Sequence, residues 1–330
     1  MKTLILSLFI CSVSLGAEVI DLGTFGGNGS YASDINDSGQ ILGWSWIDDA
    51  DNAHAFVREP NGEVTFLYPF RPYAINNAGK IAGVIRAQDG RLYPAIYDHG
   101  TITILGSLGG VDGNFVGTAI AINDVGGAAG YAVTKAGDYH AFLFDGTSMI
   151  DLGCTPDANR ASPNTYASGL NNSGQVVGFQ TYKGQGHAFL YDHGKMRSFN
   201  SPIPWTAAAF GINNSGQIVG YAIKGGVAHG FLFSQGVFSD IMLGDTYSVA
   251  RAINEHGQVV GLAYVKPAFC LALCYDVTHA FLFQNGLVFD LNDLAPSNLE
   301  VNWASGINVK GQIVGSAIVN GEQHAFLFNP

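Results

Sequence analysis

The sequence predicts an all-β fold, a seven-bladed β-propeller with four-stranded antiparallel blades, forming a single domain over residues 18–330. Three observations predict it. A nine-residue motif occurs seven times, a second signature follows each copy, and the two ends of the chain are complementary fragments of one unit.

The motif is Ile-Asn-x-x-Gly followed by a short aliphatic run that ends in Gly. It occupies Ile35–Gly43, Ile75–Gly83, Ile122–Gly130, Leu170–Gly178, Ile212–Gly220, Ile253–Gly261 and Ile307–Gly315. The repeated asparagines are 40 to 54 residues apart, so the copies differ mainly in loop length. A period in this range is the mark of a stacked repeat architecture.

Each copy reads as four strands. The first, innermost strand ends at Ile-Asn. Asn-x-x-Gly then makes a tight hairpin, the Asn side chain bonding nearby backbone and the Gly supplying a positive φ. The second strand is the Ile-Val-Gly type of run. The third begins at His-Ala-Phe, found at His54, His140, His187, His279 and His324, with His229-Gly-Phe231 in one copy and Pro94-Ala95-Ile96 in another. The fourth is the Ile-Asp-Leu-Gly type, as at Met149–Gly153. Helical periodicity is absent.

One four-stranded sheet cannot bury both of its faces, so the copies must stack, and radial stacking is the propeller solution. The seventh copy stops after its third strand, at Phe328-Asn329-Pro330. The segment Glu18–Gly23 reads as a fourth strand with no partners before it. It is expected to complete the last blade and close the ring.

These motifs, taken together, resemble the bacterial HAF-repeat extracellular proteins over nearly all of residues 18–330. The resemblance implies an exported repeat protein, in some cases part of a larger surface protein, and carries no catalytic residues with it. The chain departs from the pattern at Pro94–Ile96 and in an insertion around Cys270.

Composition agrees with an exported β-protein. Apolar residues make up 47% and charged residues 12%, enough for a large core, and 44 glycines provide for many turns. Met1-Lys2-Thr3, a short apolar run and small residues ending at Ala17 read as a signal peptide cleaved after Ala17. The expected location is secreted or periplasmic, without membrane insertion. Of the 15 basic residues only Lys2 is lost with the leader, leaving 14 against 26 acidic and a net charge near −12. That balance, with no basic run, argues against nucleic acid and anionic lipid as partners. The expected partner is a glycan or protein ligand, and the ring is expected to act as a monomer. Of the three cysteines beyond the leader, Cys270 and Cys274 are expected to form a small loop disulfide, and Cys154 to be a buried apolar residue.

Few residues point to chemistry. The repeated histidines sit one per blade, too far apart to share a metal ion, and are expected to bond their own blade's loop backbone. Asp48, Asp49 and Asp51 form an acidic loop that offers oxygen ligands for Ca²⁺, but the Gly and the downstream Glu of a known calcium loop are missing. No other cofactor signature is present. Asp112, Asp157 and Glu300 lie on connections and read as surface charges.

Function should lie where the copies disagree, because repetition already has a packing explanation. Near the start of the inner strands come Tyr31, Arg71, Tyr73, Phe115, Arg160, Tyr166, Trp205, Phe210, Tyr247, Arg251 and Trp303. Aromatic residues around a concave mouth suit sugar stacking or protein contact, and packing between blades is the competing role. Trp205 and Trp303, with Arg251 as a polar anchor, are the foremost candidates. The expected function is an exported binding scaffold that uses one loop face. The alternative is a polysaccharide hydrolase or lyase, which needs Arg71, Tyr73, Arg251 and an acid in one pocket at the channel mouth.

Overall fold

The computed structural model describes residues 17–47, 53–155, 164–182, 184–199, 206–244, 247–266 and 277–330. Its strands form seven four-stranded antiparallel sheets. The chain enters on β1 (Glu18–Gly23) and continues into blade one, made of β2 (Ser30–Ile35), β3 (Ile41–Trp46), β4 (Ala53–Arg58) and β5 (Val64–Phe66). Blade two is β6 (Arg71–Ile75), β7 (Ile81–Arg86), β8 (Leu92–Asp98) and β9 (Thr101–Ile104). Blade three is β10 (Gly117–Ile122), β11 (Ala128–Val133), β12 (Tyr139–Phe144) and β13 (Met149–Gly153). Blade four is β14 (Asn164–Leu170), β15 (Val176–Tyr182), β16 (Gln185–Asp192) and β17 (Lys195–Ser198).

Blade five is β18 (Ala207–Ile212), β19 (Ile218–Lys224), β20 (Val227–Ser234) and β21 (Val237–Ile241). Blade six is β22 (Tyr247–Ile253), β23 (Val259–Val265), β24 (Val277–Gln284) and β25 (Leu287–Asp290). Blade seven holds β26 (Leu299–Ile307), β27 (Ile313–Val319) and β28 (Glu322–Asn329), and its fourth strand is β1. The fold is a seven-bladed propeller, with a 3₁₀ turn at Leu291–Leu294 as its sole helical element among the described residues.

The first repeated signature fixes the hairpin between the two inner strands of each blade. At Asn254, Oδ1 accepts from the amides of His256 (3.1 Å) and Gln258 (3.0 Å), and the Gly257 amide donates to the Asn254 carbonyl (3.1 Å). Gly257 has φ +74°, a conformation that a residue with a Cβ adopts only under strain.

The glycine that ends the motif has a different reason. A Cβ on Gly261 would overlap the Val249 carbonyl oxygen on the inner strand and would lie 3.0 Å from Cζ of Phe281 on the third strand. Gly261 pairs directly with Phe281, as Gly43 pairs with Phe56 and Gly315 with Phe326. The glycine therefore seats the ring of His-Ala-Phe, and Phe56, Phe142, Phe189, Phe281 and Phe326 are fully buried. Burial of each such ring contributes roughly 1.5–3 kcal/mol. In blade two the register corrects the sequence alignment, setting Ala95 rather than Ile96 opposite Gly83, and Phe70 from the preceding connection packs over that glycine instead.

Apolar layers join neighbouring blades. One cluster combines Val177 and Ala188 of blade four with Ala209, Ile218 and Phe231 of blade five. Hydroxyl groups at the start of three inner strands add polar links between blades. Ser30 Oγ donates to the Gly23 carbonyl (2.6 Å) and accepts from the Ala325 amide (2.8 Å), and Thr165 and Ser248 repeat the arrangement.

Closure uses the N-terminal strand. β1 pairs with β28 from Glu18↔Asn329 to Gly23↔Ala325, Val19 is buried in the core, and Asp21 lies 2.8 Å from His324 Nδ1.

Two sequence expectations need correction. Three of the His-Ala-Phe histidines bond a side-chain carboxylate rather than the loop backbone expected of them. His140, His279 and His324 bond the Asp of the fourth-strand signature, namely Asp151 (2.9 Å), Asp290 (2.6 Å) and Asp21 (2.8 Å), while His229 lies 3.4 Å from Asp240. The two signatures sit opposite each other on paired outer strands, which brings imidazole and carboxylate together. Cys154 is exposed and free, because the chain leaves β13 at Gly153 with φ +64° and turns it outward. Cys270, Cys274, Asp48, Asp49, Asp51 and Trp205 lie outside the described residues.

Candidate functional site

The seven inner strands enclose a central cavity of about 1060 Å³. Its wall is shaped by an irregularity present in every blade. The pairing of each inner strand skips one residue three positions before the repeated Asn. A β-bulge of this kind leaves one residue unpaired and re-aims its side chain. The skipped residues are Ser33, Tyr73, Ile120, Ser168, Phe210, Arg251 and Ser305, and all seven line the cavity. Each blade thus contributes one bulged residue to the channel, and the residue types differ.

Strands rise about 3.3 Å per residue, so successive positions form levels down the channel. Tyr31, Trp46 and Trp303 lie at the level above the bulge ring. Below it comes a level of small residues, Ala74, Ala121, Gly169, Gly211 and Ala252, broken by Asp34 of blade one. Next is an aliphatic collar of Ile35, Ile75, Ile122, Leu170, Ile212, Ile253 and Ile307.

The repeated asparagines form the level after that, and they close on themselves. Each Nδ2 donates to the backbone carbonyl of the next blade's Asn, in the order Asn36, Asn76, Asn123, Asn171, Asn213, Asn254, Asn308 and back to Asn36, at 2.9–3.1 Å. All seven are buried, at 2–5% exposure, so each donor replaces water that its neighbour's carbonyl cannot reach. A second ring one residue further uses Asp37, Asn77, Asp124, Asn172, Asn214 and Glu255 as side-chain acceptors for the preceding blade's amide. It is interrupted at Val309, which has no acceptor to offer Glu255. This end of the channel is rigid and acidic.

Arg251 is the only Lys or Arg in the cavity wall among the described residues. Its guanidinium carbon lies 4.8 Å from the ring centre of Phe210 on the preceding blade and 4.7 Å from that of Trp303 on the following one. No carboxylate among the described residues is within salt-bridge distance of it. Burial lowers its pKa from the ordinary 12.5, opposed by Tyr247 and Tyr221 nearby, and a guanidinium stays charged regardless. Trp303 is 38% exposed and Tyr73 45% exposed, both toward the cavity that they line.

Asp34 is the single carboxylate on the small-residue level. Its oxygens accept from the amides of Ile35 (2.8 Å) and Ile75 (2.9 Å), linking blades one and two. Burial pushes its carboxyl up to about 6, and those two amides offset only part of that.

Of the sequence candidates, Tyr31, Tyr73, Arg251 and Trp303 share the cavity wall, on the inner strands themselves rather than in the loops before them. Arg71 is exposed and off the wall, so it does not join Tyr73 and Arg251 in the pocket named for the enzyme alternative. Tyr166 packs on Phe179 of its own blade (5.1 Å) and on Tyr131 of the blade before (5.0 Å), while Tyr247 stacks on Tyr264 within its own blade (4.5 Å). Asp112 accepts the Tyr139 hydroxyl, which pushes that phenol up to about 12. Sequence reasoning missed Asp34 and the bulge ring. Their signal was present in the positions two and three before each Asn, where one copy alone has an acid among small residues and the third position ranges over Ser, Tyr, Ile, Phe and Arg.

No curated protein matches the chain by sequence. Residues 106–266, just under half of the chain, match the family described as Protein of unknown function (DUF3466). Among solved structures, the β-propeller domain of the Trilobed protease from Pyrococcus furiosus is similar at 12% identity, with 91% of this chain and 93% of that chain covered and a TM-score of 0.60. A Pyrococcus horikoshii acylaminoacyl peptidase is similar at 12% identity, with coverage of 79% and 44% and a TM-score of 0.52. A Mycobacterium tuberculosis puromycin-hydrolyzing peptidase is similar at 9% identity, with coverage of 87% and 48% and a TM-score of 0.50. The chain spans somewhat under half the length of these two peptidases. At such identities the likeness is one of fold.

Proposed function

We propose that this chain is an exported binding module that holds a glycan in the wide, aromatic mouth of its central channel. The observation behind this reading is the bulge ring. The blades repeat their hairpin and their Asn, yet at one shared position they turn five residue types into the channel, Ser in three blades and Tyr, Ile, Phe and Arg in one each. A concave site with exposed aromatic faces and a few convergent polar groups is the usual form of a ligand pocket. Stacking on Trp303 and Tyr73 would supply contact area, and Ser33, Ser168 and Ser305 would supply hydroxyls. The leader-like residues 1–17 and the resemblance to HAF-repeat extracellular proteins support export.

A glycan array probed with the wild type and with Trp303→Ala tests the reading. Signal on a defined set of glycans that the variant loses supports it. A blank array, or equal signal from both proteins, counts against it, and capture of a protein ligand in its place would move the module to protein recognition.

Asp34 favours a second reading, a polysaccharide-acting enzyme that uses this carboxyl as a general acid or base. A value near 6 suits proton transfer near neutral pH. Release of reducing ends or unsaturated sugars by the wild type but not by Asp34→Asn would support it. Absence of product across the glycans that bind would exclude it.

A further inference from the structure

We infer that the ligand is an acidic saccharide whose terminal sugar carries a carboxylate, and that Arg251 binds that carboxylate through the N–H edge of its guanidinium. The inference rests on the glycan-binding reading above and adds the ligand's charge and orientation.

The geometry of Arg251 leads to it. A guanidinium can be used in two ways, by stacking on its faces and by donating five N–H groups from its rim. Here Phe210 and Trp303, from the blades on either side, take the stacking role at 4.8 and 4.7 Å. The rim remains, in a cavity wall where no carboxylate of the described residues pairs with it. A planar fork held at fixed orientation and left without its acceptor matches a carboxylate, which accepts two parallel N–H bonds. Holding the fork between two rings in advance lowers the entropy cost of binding, since the side chain is already ordered.

The rest of the wall narrows the ligand further. Arg251 is the lone cation of the cavity wall among the described residues, so the site matches no more than one carboxylate. The channel beyond the aliphatic collar carries Asp37, Asp124 and Glu255, which repel further anions. A polyanion threaded through would meet that acidic ring. A chain with its acid group on the terminal sugar, entering from the Trp303 side, would not. The neighbouring groups suit hydroxyls. Asp34 uses each oxygen for one amide and keeps acceptor capacity on both, and the serines of the bulge ring offer further donors and acceptors. A peptide C-terminus would also present a carboxylate, but small polar groups on the same wall as Trp303 and Tyr73 fit a sugar ring better than an apolar side chain.

The experiment uses the chain without its leader and a panel of uronate-terminated and sialic acid-terminated oligosaccharides. Each is paired with its carboxyl-reduced counterpart, in which the carboxylate becomes a hydroxymethyl group. Intrinsic tryptophan fluorescence follows binding to the wild type, Arg251→Gln, Arg251→Lys and Trp303→Ala, with far-UV circular dichroism to confirm folding. The wild type is expected to prefer at least one acidic sugar over its reduced form by tenfold or more. Arg251→Gln should abolish that preference, bringing the affinities for the acidic and reduced forms within about twofold of each other. Arg251→Lys should recover only part of it, and Trp303→Ala should weaken both sugars.

Equal binding of the acidic and reduced forms overturns the inference and leaves the glycan-binding reading intact. Binding to no sugar in either form overturns that reading as well. A preference for free-carboxylate peptides over their amides, lost in Arg251→Gln and seen with no sugar, would keep the anion role and overturn the saccharide.

Discussion

The asparagine girdle makes a quantitative prediction at the blade joint that closes the ring. Asn308 Nδ2 donates to the Asn36 carbonyl (3.0 Å) and to Gln312 Oε1 (2.8 Å), while its Oδ1 accepts from the amides of Lys310 and Gln312 (both 3.0 Å). Asn308→Ala removes all four bonds. A net value of about 0.5–1.5 kcal/mol per bond, and about 1–3 kcal/mol for stranding the buried Asn36 carbonyl, put the loss at about 3 kcal/mol or more after local relaxation. With a urea dependence of about 3 kcal/mol per molar, the unfolding midpoint should fall by about 1 M. Urea titration followed by tryptophan fluorescence reads this directly. Val125→Ala, in the corresponding turn of blade three but 73% exposed, is the control and should lie within about 0.5 kcal/mol of the wild type. Asn308→Asp keeps both amide acceptances but sets an oxygen against the Asn36 carbonyl, so it should also be destabilised at neutral pH. A midpoint for Asn308→Ala equal to that of the control would refute the idea that the girdle holds the blades together.

Three further predictions follow from the packing and the titratable groups. Gly261→Ala should cost about 3 kcal/mol by urea titration, because the added methyl group overlaps the Val249 carbonyl and crowds Phe281. The His279–Asp290 pair should give stability across a window of pH. The hydrogen bond to Asp290 raises the His279 pKa above 6.5; burial opposes ionisation of Asp290, but bonds from His279 and Asn292 outweigh it and hold that pKa below 3.8. The contribution is therefore full between those ordinary values, lost as pH rises through the raised His279 pKa, and lost as pH falls through the lowered Asp290 pKa; Asp290→Asn should flatten both limbs of a plot of melting temperature against pH. Asp34 acts with the sign opposite to that of Asp290, in a separate window. With its folded pKa raised from 3.8 to about 6, stability should increase as pH falls from about 6 toward 4, by no more than about 3 kcal/mol because channel water screens the group, and Asp34→Asn should abolish that rise.

The propeller was legible in the sequence because its constraints repeat. Asn-x-x-Gly can be read as a hairpin from one copy, and seven copies with split ends leave few architectures open. The partners of those residues were less legible. That Asn36 would bond Asn76 rather than only its own turn depends on how closely the blades approach, a spacing that no single copy encodes. The His140–Asp151 pair was hidden for a similar reason, since the two residues belong to different signatures and meet only once the outer strands are in register. At the site, Tyr73, Arg251 and Trp303 stood out as departures from the repeat, and they do converge. Tyr166 and Tyr247 departed equally and did not, because aromatic side chains near a strand start can stack along the blade as readily as face the channel. For Tyr73 and Arg251 the bulge turns the side chain into the channel, and a one-residue slip in pairing leaves no compositional trace.

The channel mouth as a ligand site is tested most directly by a crystal structure of the chain bound to whichever acidic oligosaccharide binds it best. The sugar should lie at the Trp303 end of the channel, stacked near Trp303 and Tyr73, with its carboxylate oxygens within about 3 Å of the Arg251 N–H edge. A ligand found on the outer strands, or at the Asp37 and Glu255 end with Arg251 untouched, would contradict the account.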